Sequence, residues 1–188
     1  MKPYRVLILP GWQNSGPGHW QSRWRSRYGY PWVEQHDWMQ PRRGDWITRL
    51  EDVLLGSDEP AVLVAHSLGC LLVAAWAAHT RHSTRVRAAL LVAPGDVESE
   101  PLRPLLPTWA PIVRRPLPFA AVVVASRDDP YCRYERAQTL AADWGARWVD
   151  AGAAGHINAD SGLGDWDAGH ALLSGLVNQD VQIHPAIS

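Results

Sequence analysis

A serine between two apolar segments constrains the fold of this chain more than any other feature. The apolar run Ala61–Ala65 breaks at Ser67 and resumes as an alanine- and leucine-rich segment that extends to His79. This pattern predicts a buried strand, a tight turn and a buried helix. Ala65 and Gly69, two positions either side of the serine, fit a turn that presents a serine hydroxyl above the end of a sheet. The usual motif has glycine at both positions, so Ala65 departs from it while remaining small. An ordinary turn with Ser67 as the helix cap is the alternative.

Composition predicts one globular domain, spanning residues 1–188, with a loosely ordered tail from about residue 179. The chain is 46% hydrophobic and 20% charged, and its formal net charge of −1 gives no electrostatic reason to expect nucleic acid or an acidic membrane as a partner. No segment resembles a signal peptide or a membrane span. The two cysteines, Cys70 and Cys132, make no disulfide framework. We therefore expect a cytoplasmic protein.

Strand and helix patterns alternate along the chain. Strands are predicted at 5–10, 32–36, 61–65, 88–93, 119–126 and 146–149, and helices at 18–28, 45–55 (capped by Asp45), 68–79, 134–144 and 166–177. Continuous apolar strands separated by helices predict a parallel sheet covered on both faces, with an active site at the carboxyl ends of the strands. Residues 98–118 are rich in proline and cannot sustain a strand or a long helix, so they form either an excursion over the sheet or a flap over the site.

His156 is the predicted general base, because a serine hydroxyl needs a histidine to accept its proton. It lies in the glycine-rich segment 151–158, directly after the last predicted strand. In folds of this kind the chain order is serine, acid, histidine. A turn histidine bonded to the backbone is the alternative. Other histidines fit less well: His36 precedes the serine, His66 is expected to point away from it, and His79, His82, His170 and His184 are expected to be solvated.

Asp129 is the predicted acid that orients this histidine. It follows a strong strand and precedes Pro130, which favours an extended backbone and a projecting side chain. Its neighbour Asp128 is an alternative for the acid, although it could instead be a turn or cap residue. Asp96, after the preceding strand, is the other candidate acid. A reaction at a carbonyl also needs two backbone N–H donors for the oxyanion.

The first predicted oxyanion donor is Leu68, which follows the nucleophile. The second is Trp12, in the loop after the first strand. That loop has the glycine spacing of a phosphate-binding loop, but Pro17-Gly18 stands where lysine and serine or threonine are required. A nucleotide site is excluded, and no cluster has convincing metal-ligand spacing. We expect neither a metal nor another cofactor.

Four stretches of the chain are distinctive: residues 10–21 (PGWQNSGPGHWQ), 65–69 (AHSLG), 126–132 (SRDDPYC) and 155–166 (GHINADSGLGDW). Together they resemble the small serine hydrolase family of retinoblastoma-binding protein 9 and its bacterial relatives. The resemblance implies a three-layer α/β-hydrolase fold with a mostly parallel sheet and little or no cap domain, with Ser67, Asp129 and His156 as the catalytic triad. Binding of retinoblastoma-type proteins is not implied, because neither cysteine is followed two residues later by glutamate.

The sequence therefore predicts a serine hydrolase that cleaves a carboxylic ester, or a thioester or amide, through an acyl-serine intermediate. Its expected partner is a small-molecule acyl substrate, and we expect a monomer or a small homo-oligomer without nucleic-acid or membrane partners. The alternative is a catalytically silent binding or scaffold protein that keeps the hydrolase fold.

Overall fold

A sheet of five parallel strands forms the centre of the molecule, in the order β1-β2-β3-β4-β5. The structure is a computed structural model that describes residues 4–183, and side chains up to residue 178. The strands are β1 (Arg5–Leu9), β2 (Ala61–His66), β3 (Val86–Val92), β4 (Ala120–Ala125) and β5 (Arg147–Asp150). The α-helices are α1 (Trp20–Tyr28), α2 (Arg43–Leu55), α3 (Leu68–His79), α4 (Tyr134–Asp143) and α5 (Asp167–Ile183).

Helices cover both faces of the sheet, which is why its strands are apolar on both sides. Along β2, Leu63 packs with α2, α3 and α4, whereas its neighbours Val62 and Val64 pack with α1 and α5. Successive strand residues point to opposite faces, so a strand buried on both faces has no polar alternation. The three-layer α/β-hydrolase fold is confirmed, and no cap domain is present among residues 4–183.

Two of the predicted elements are wrong in detail. Residues 32–36 are not a strand, because after one bridge between Trp32 and Ile8 the chain leaves the edge of the sheet. The carboxylate of Asp37 then accepts backbone N–H bonds that form a turn. Helix α2 begins at Arg43, so Asp45 lies in its first turn and is not the cap. A carboxylate there still interacts favourably with the helix dipole.

The proline-rich segment, residues 98–118, contains only a short 3₁₀ turn, Pro107–Trp109, as its composition predicts. The Trp109 indole is buried and donates to the carbonyl of Pro41, which ties the segment to the chain just before α2. The last helix continues past the predicted end at Val177 to Ile183. The rest of the predicted tail, with His184, lies outside the described residues. None of the described helices has the length and apolar character that a membrane crossing needs.

Candidate active site

The backbone at Ser67 makes a sharp turn between β2 and α3. Ser67 has φ 54° and ψ −118°, a conformation that residues other than glycine rarely adopt. Its N–H bonds to the carbonyl of Val92 at 2.9 Å, and its side chain makes no capping bond to α3. Ser67 therefore occupies the N-cap position of α3 without capping it through its side chain. A Cβ at Gly69 would lie 2.4 Å from the carbonyl oxygen of Leu9, so the turn excludes any side chain there.

The structure brings together the three residues predicted from chain order. His156 Nε2 lies 2.9 Å from Ser67 Oγ, and His156 Nδ1 lies 2.9 Å from both carboxylate oxygens of Asp129. Since a carboxylate only accepts, the network places the histidine proton on Nδ1 and leaves Nε2 to accept the serine hydroxyl proton. The side chains of Asp129 and His156 are 2% and 8% exposed, so water competes little for these bonds.

The three candidate acids have separate positions. Only Asp129 contacts His156, and its carboxylate also accepts the backbone N–H of Tyr131 at 2.9 Å. Asp128 accepts from the Ser126 hydroxyl at 2.6 Å and from the Gly155 N–H at 2.8 Å. These two bonds, the first most strongly, lower the pKa of Asp128. That residue thus holds the loop that carries the histidine.

Asp96 takes no part in this cluster of side chains. Its carboxylate lies 3.4 Å from the Arg136 guanidinium, in an ion pair beside α4. The alternative that Asp96 orients His156 therefore has no support from the geometry.

Two ring N–H groups hold the backbone at His156. His66 Nε2 lies 2.9 Å from the carbonyl oxygen of His156, and the Trp20 indole donates to the carbonyl of Ile157 at 2.8 Å. Ile157 has a φ of 48°, a strained value for a β-branched residue. The side chain of His66, which we expected to point away from Ser67, lines the cavity that opens above Ser67. The turn-histidine interpretation of His156 is wrong, because both of its ring nitrogens bond to side chains.

The loop after β1 runs alongside the Ser67 turn, where the second oxyanion donor is predicted. A Cβ at Gly11 would lie 2.9 Å from Ser67 Cβ and 3.2 Å from the backbone nitrogen of Leu68. Trp12 follows directly and lines the same cavity as Leu68. Its indole donates to the carbonyl of Met39 at 2.9 Å, which fixes this loop. The roles of Leu68 and Trp12 remain predictions.

A cavity of about 310 Å³ opens above Ser67. Leu102 and Leu106 line it, so the proline-rich segment forms one of its walls. This position favours the flap interpretation of residues 98–118. Among the described residues, no Asp, Glu, Lys or Arg side chain lines the cavity. The cavity therefore suits an uncharged molecule of modest size.

Several cavity residues were not predicted from the sequence, among them Asn14, Asn158 and His19, and His19 is the most deeply buried of these three. Its Nδ1 accepts the N–H of Gln21 at 3.1 Å and caps α1, and its ring packs edge-to-face on His66 at 4.6 Å. Burial, with a smaller effect of the nearby His156, lowers the pKa of His19 to about 4. Burial also lowers the pKa of His66, and the neighbouring His19 and His156 add to that shift. Both rings are therefore neutral at physiological pH. The one sequence signal was the position of His19 inside the distinctive stretch 10–21.

Comparison with known proteins identifies the family of this chain. A family model described as serine hydrolase matches residues 6–175. YdeN of Bacillus subtilis (strain 168) is 25% identical over 178 residues, covering 85% of this chain and 88% of YdeN. The crystal structure of the B. subtilis ydeN gene product matches with a TM-score of 0.75 and 22% identity. The match covers 94% of this chain and 100% of the ydeN product.

Two further solved structures resemble the chain. A YdeN-like protein from Pectobacterium atrosepticum SCRI1043 is 28% identical with a TM-score of 0.83, covering 94% of this chain and 92% of that one. The esterase Est2 from Thermogutta terrifontis shares the fold alone, at 17% identity and a TM-score of 0.65, over 95% of this chain and 84% of that one. The family model covers most of the chain. The chain therefore belongs to the serine hydrolase family, and its activity is that of a hydrolase.

Proposed function

We propose that this hydrolase cleaves a carboxylic ester through an acyl-serine intermediate. Ser67 is the nucleophile, His156 the general base and Asp129 the acid that orients it. The observation that carries the proposal is the continuous chain of bonds from Ser67 Oγ to His156 and on to Asp129, each 2.9 Å long. An aligned base at this distance removes the serine proton as the hydroxyl attacks.

Acylation begins when Ser67 Oγ attacks the carbonyl carbon and its proton passes to His156 Nε2. The carbonyl oxygen becomes an oxyanion, which the backbone N–H groups of Leu68 and Trp12 stabilise. Loss of one such donor costs on the order of 10²–10³ in kcat. The tetrahedral intermediate then collapses, and the leaving alcohol takes the proton from His156 Nε2. Asp129 stabilises the imidazolium that exists between these two transfers.

Deacylation repeats the same transfers with water. His156 Nε2 takes a proton from a water molecule whose oxygen attacks the acyl carbon. The second tetrahedral intermediate expels Ser67 Oγ, which recovers its proton from His156, and the free acid leaves. Thioesters and amides form the same acyl-enzyme, so they are the alternative substrates of the same triad. Esters are proposed ahead of amides because an alkoxide leaves the tetrahedral intermediate more readily than an amine. A silent scaffold has no use for the strained backbone at Ser67, and no contact in the structure favours that alternative.

Kinetics on 4-nitrophenyl butyrate test the proposal. Ser67→Ala, His156→Gln and Asp129→Asn are each expected to lower kcat by about 10⁴ or more, because the three groups act as a unit. Asp96→Asn is the matched control, since it makes the same change at an acid that does not touch His156, and its kcat is expected to stay within about threefold. Equal activity of Asp129→Asn and Asp96→Asn would exclude the assigned acid.

The finer assignments are also proposals. We propose a single domain over residues 1–188 that works in the cytoplasm, as a monomer or small homo-oligomer, on a small-molecule acyl substrate without nucleic-acid or membrane partners. The net charge of −1 supports the lack of a polyanionic partner. We also propose that the chain lies in the retinoblastoma-binding protein 9-like branch, on the four stretches that carry the resemblance. Light scattering and a sequence tree test the oligomeric state and the branch.

A further inference from the structure

The cavity above Ser67 has two chemically different sides. Ser67 follows β2, and the sheet order places the loop after β1 on one side of it and the segment after β3 on the other. The β1 side contributes Asn14 and His19, joined there by Asn158 from the loop after β5. That loop packs onto the β1 loop, because the Trp20 indole bonds to the carbonyl of Ile157. The β3 side contributes Gly95, Val97, Leu102 and Leu106, and next to them Tyr131, from the loop after β4, adds a phenol ring that packs on His156.

Both asparagines line the cavity and have side-chain N–H donors without a protein acceptor along the described part of the chain. The side-chain oxygen of Asn14 accepts the N–H of Ser15 at 2.7 Å, and that of Asn158 accepts the N–H of Asp160 at 3.1 Å. These bonds fix which end of each amide is the acceptor, so each NH₂ group is left to donate elsewhere. Within the part of the chain that the structure describes, neither NH₂ group has an acceptor.

His19 adds a third donor of the same kind. Because its Nδ1 accepts the N–H of Gln21, the proton of the neutral ring is on Nε2. That buried Nε2 has no hydrogen-bond partner among the described residues. Buried polar groups without partners are uncommon in folded proteins and require an explanation. A substrate oxygen on this side of the cavity would supply the missing acceptors.

The chemistry of the reaction decides which half of the substrate meets which side. The leaving alcohol oxygen must reach His156 Nε2 to collect its proton. Asn158 lies two residues beyond His156, and the His19 ring packs on His66, which packs on His156. The alcohol portion is therefore assigned to the β1 side, and the acyl group to the side of Val97, Leu102 and Leu106.

We propose that the substrate is an uncharged ester in which an apolar acyl group is joined to an alcohol that carries further hydrogen-bond acceptor oxygens. This inference rests on the proposed ester hydrolysis and specifies its substrate class. Asn158 and Asn14 recognise the acceptor oxygens of the alcohol, and Leu102 and Leu106 hold the acyl chain. The absence of charged side chains from the cavity lining of the described residues selects against charged esters.

Two butyrate esters of equal size test the alcohol side. In 2-ethoxyethyl butyrate an ether oxygen replaces one methylene of n-pentyl butyrate, so the pair differs in one acceptor and in no donor. The wild type is expected to prefer the ethoxyethyl ester by about fivefold in kcat/KM, as one net hydrogen bond provides. Asn158→Asp keeps the oxygen that accepts from Asp160 but replaces the NH₂ donor with an acceptor, so the preference should fall to about one.

Control variants separate recognition from general damage. Asn178→Asp makes the same change at the remaining asparagine, on the exposed side of α5, and the preference should stay at about fivefold. Leu102→Phe narrows the acyl side, so it should lower kcat/KM for butyrate relative to acetate esters while the alcohol preference persists. If Asn158→Asp does not fold, Asn14→Asp tests the same point, because it also keeps its backbone bond.

The outcomes distinguish the substrate class from the proposed function. A wild type that hydrolyses both esters at equal rates, or prefers the pentyl ester, overturns the substrate class and leaves ester hydrolysis intact. An unchanged preference in both Asn158→Asp and Asn14→Asp overturns the assigned donors. A folded wild type that hydrolyses neither ester and whose Ser67 does not react with a fluorophosphonate overturns both proposals.

Discussion

The indole N–H of Trp20 donates a 2.8 Å hydrogen bond to the carbonyl oxygen of Ile157, although 137 residues separate them in the chain. Ile157 follows His156 and has a φ of 48°, so its backbone would relax without tertiary support. Trp20 is on α1 and its ring is buried under the sheet. The first helix of the chain thus holds the histidine-bearing loop in a strained conformation.

Removal of this bond should lower the turnover number. We expect Trp20→Phe to reduce kcat on an ester by about tenfold, because a displacement of His156 by a fraction of an ångström weakens its bond to Ser67. Trp24→Phe is the matched control: its indole, on the same helix, donates to the carbonyl of Asp165 at 2.7 Å. Both variants should lose similar stability in urea, but kcat of Trp24→Phe should stay within about twofold. Equal kcat losses would show that Trp20 has a structural role alone.

A side chain at position 69 should not be tolerated. The Cβ of Gly69→Ala would lie 2.4 Å from the carbonyl oxygen of Leu9 in the core of the sheet, and neither backbone can yield. We expect a loss of about 3 kcal/mol or more in the free energy of unfolding. Gly175→Ala meets no atom within 4 Å in α5 and should instead stabilise by roughly 0.5–1 kcal/mol. Urea unfolding measures both, and a stable Gly69→Ala variant would contradict the tight turn.

The backbone at position 67 should be more stable with glycine than with alanine. Both substitutions remove the nucleophile, but only glycine adopts a φ of 54° without steric cost. We expect Ser67→Gly to exceed Ser67→Ala by about 1 kcal/mol in unfolding free energy. Thermal and urea unfolding of the two inactive variants provide the comparison. A more stable alanine variant would mean that the turn stores no strain at this residue.

Burial of neutral His19 should make the fold sensitive to acid. Its pKa is about 4 in the folded chain, against an ordinary value near 6.5 when unfolded. Between these values the unfolded chain binds a proton that the folded chain does not, so stability rises with pH. His19 therefore leaves the free energy of unfolding unchanged above about pH 6.5. As the pH falls from there to 4, it lowers that free energy by about 3 kcal/mol.

His19→Asn removes the titrating ring and keeps the helix cap, because an asparagine can still accept the N–H of Gln21 at the start of α1. We expect a shallower fall in unfolding free energy between pH 6.5 and 4 than in the wild type, measured by urea titration at each pH. Because His19 also lowers the pKa of the buried His66, the difference between the two curves contains the titration of His19 and its effect on His66. Parallel curves would show that the pKa of His19 is the same in the folded and unfolded chains, which would contradict the burial of a neutral ring.

The parts of the fold that depend on local sequence could be predicted, and those that depend on distant contacts could not. The turn at Ser67 follows from small residues on either side of it, and the position of His156 follows from chain order and the strand before it. Asp128 and Asp129 are adjacent and chemically identical, so the tertiary position of each carboxylate separates their roles. The position of His19 in the site could not be predicted, because it reaches the site only when the β1 loop packs against the ends of β2 and β5.

Element boundaries failed where single contacts decide them. The segment 32–36 has strand-like residues but makes one bridge to β1, since the turn at Asp37 carries the chain away. Helix α2 starts two residues before Asp45, although the polar residue and apolar spacing suggested a cap there. The turn at Asp37 bears on the site, because the carbonyl of Met39, just after it, accepts the bond from the Trp12 indole.

Mass spectrometry of the intact protein after incubation with a fluorophosphonate tests most directly whether Ser67 is an activated nucleophile. We expect a single adduct on the wild type, mapped to Ser67, with no adduct on Ser67→Ala and much slower labelling of Asp129→Asn. Circular dichroism of each variant establishes that it is folded. An adduct on Ser67→Ala, or none on a folded wild type, would contradict the assignment of Ser67, His156 and Asp129 as the catalytic triad.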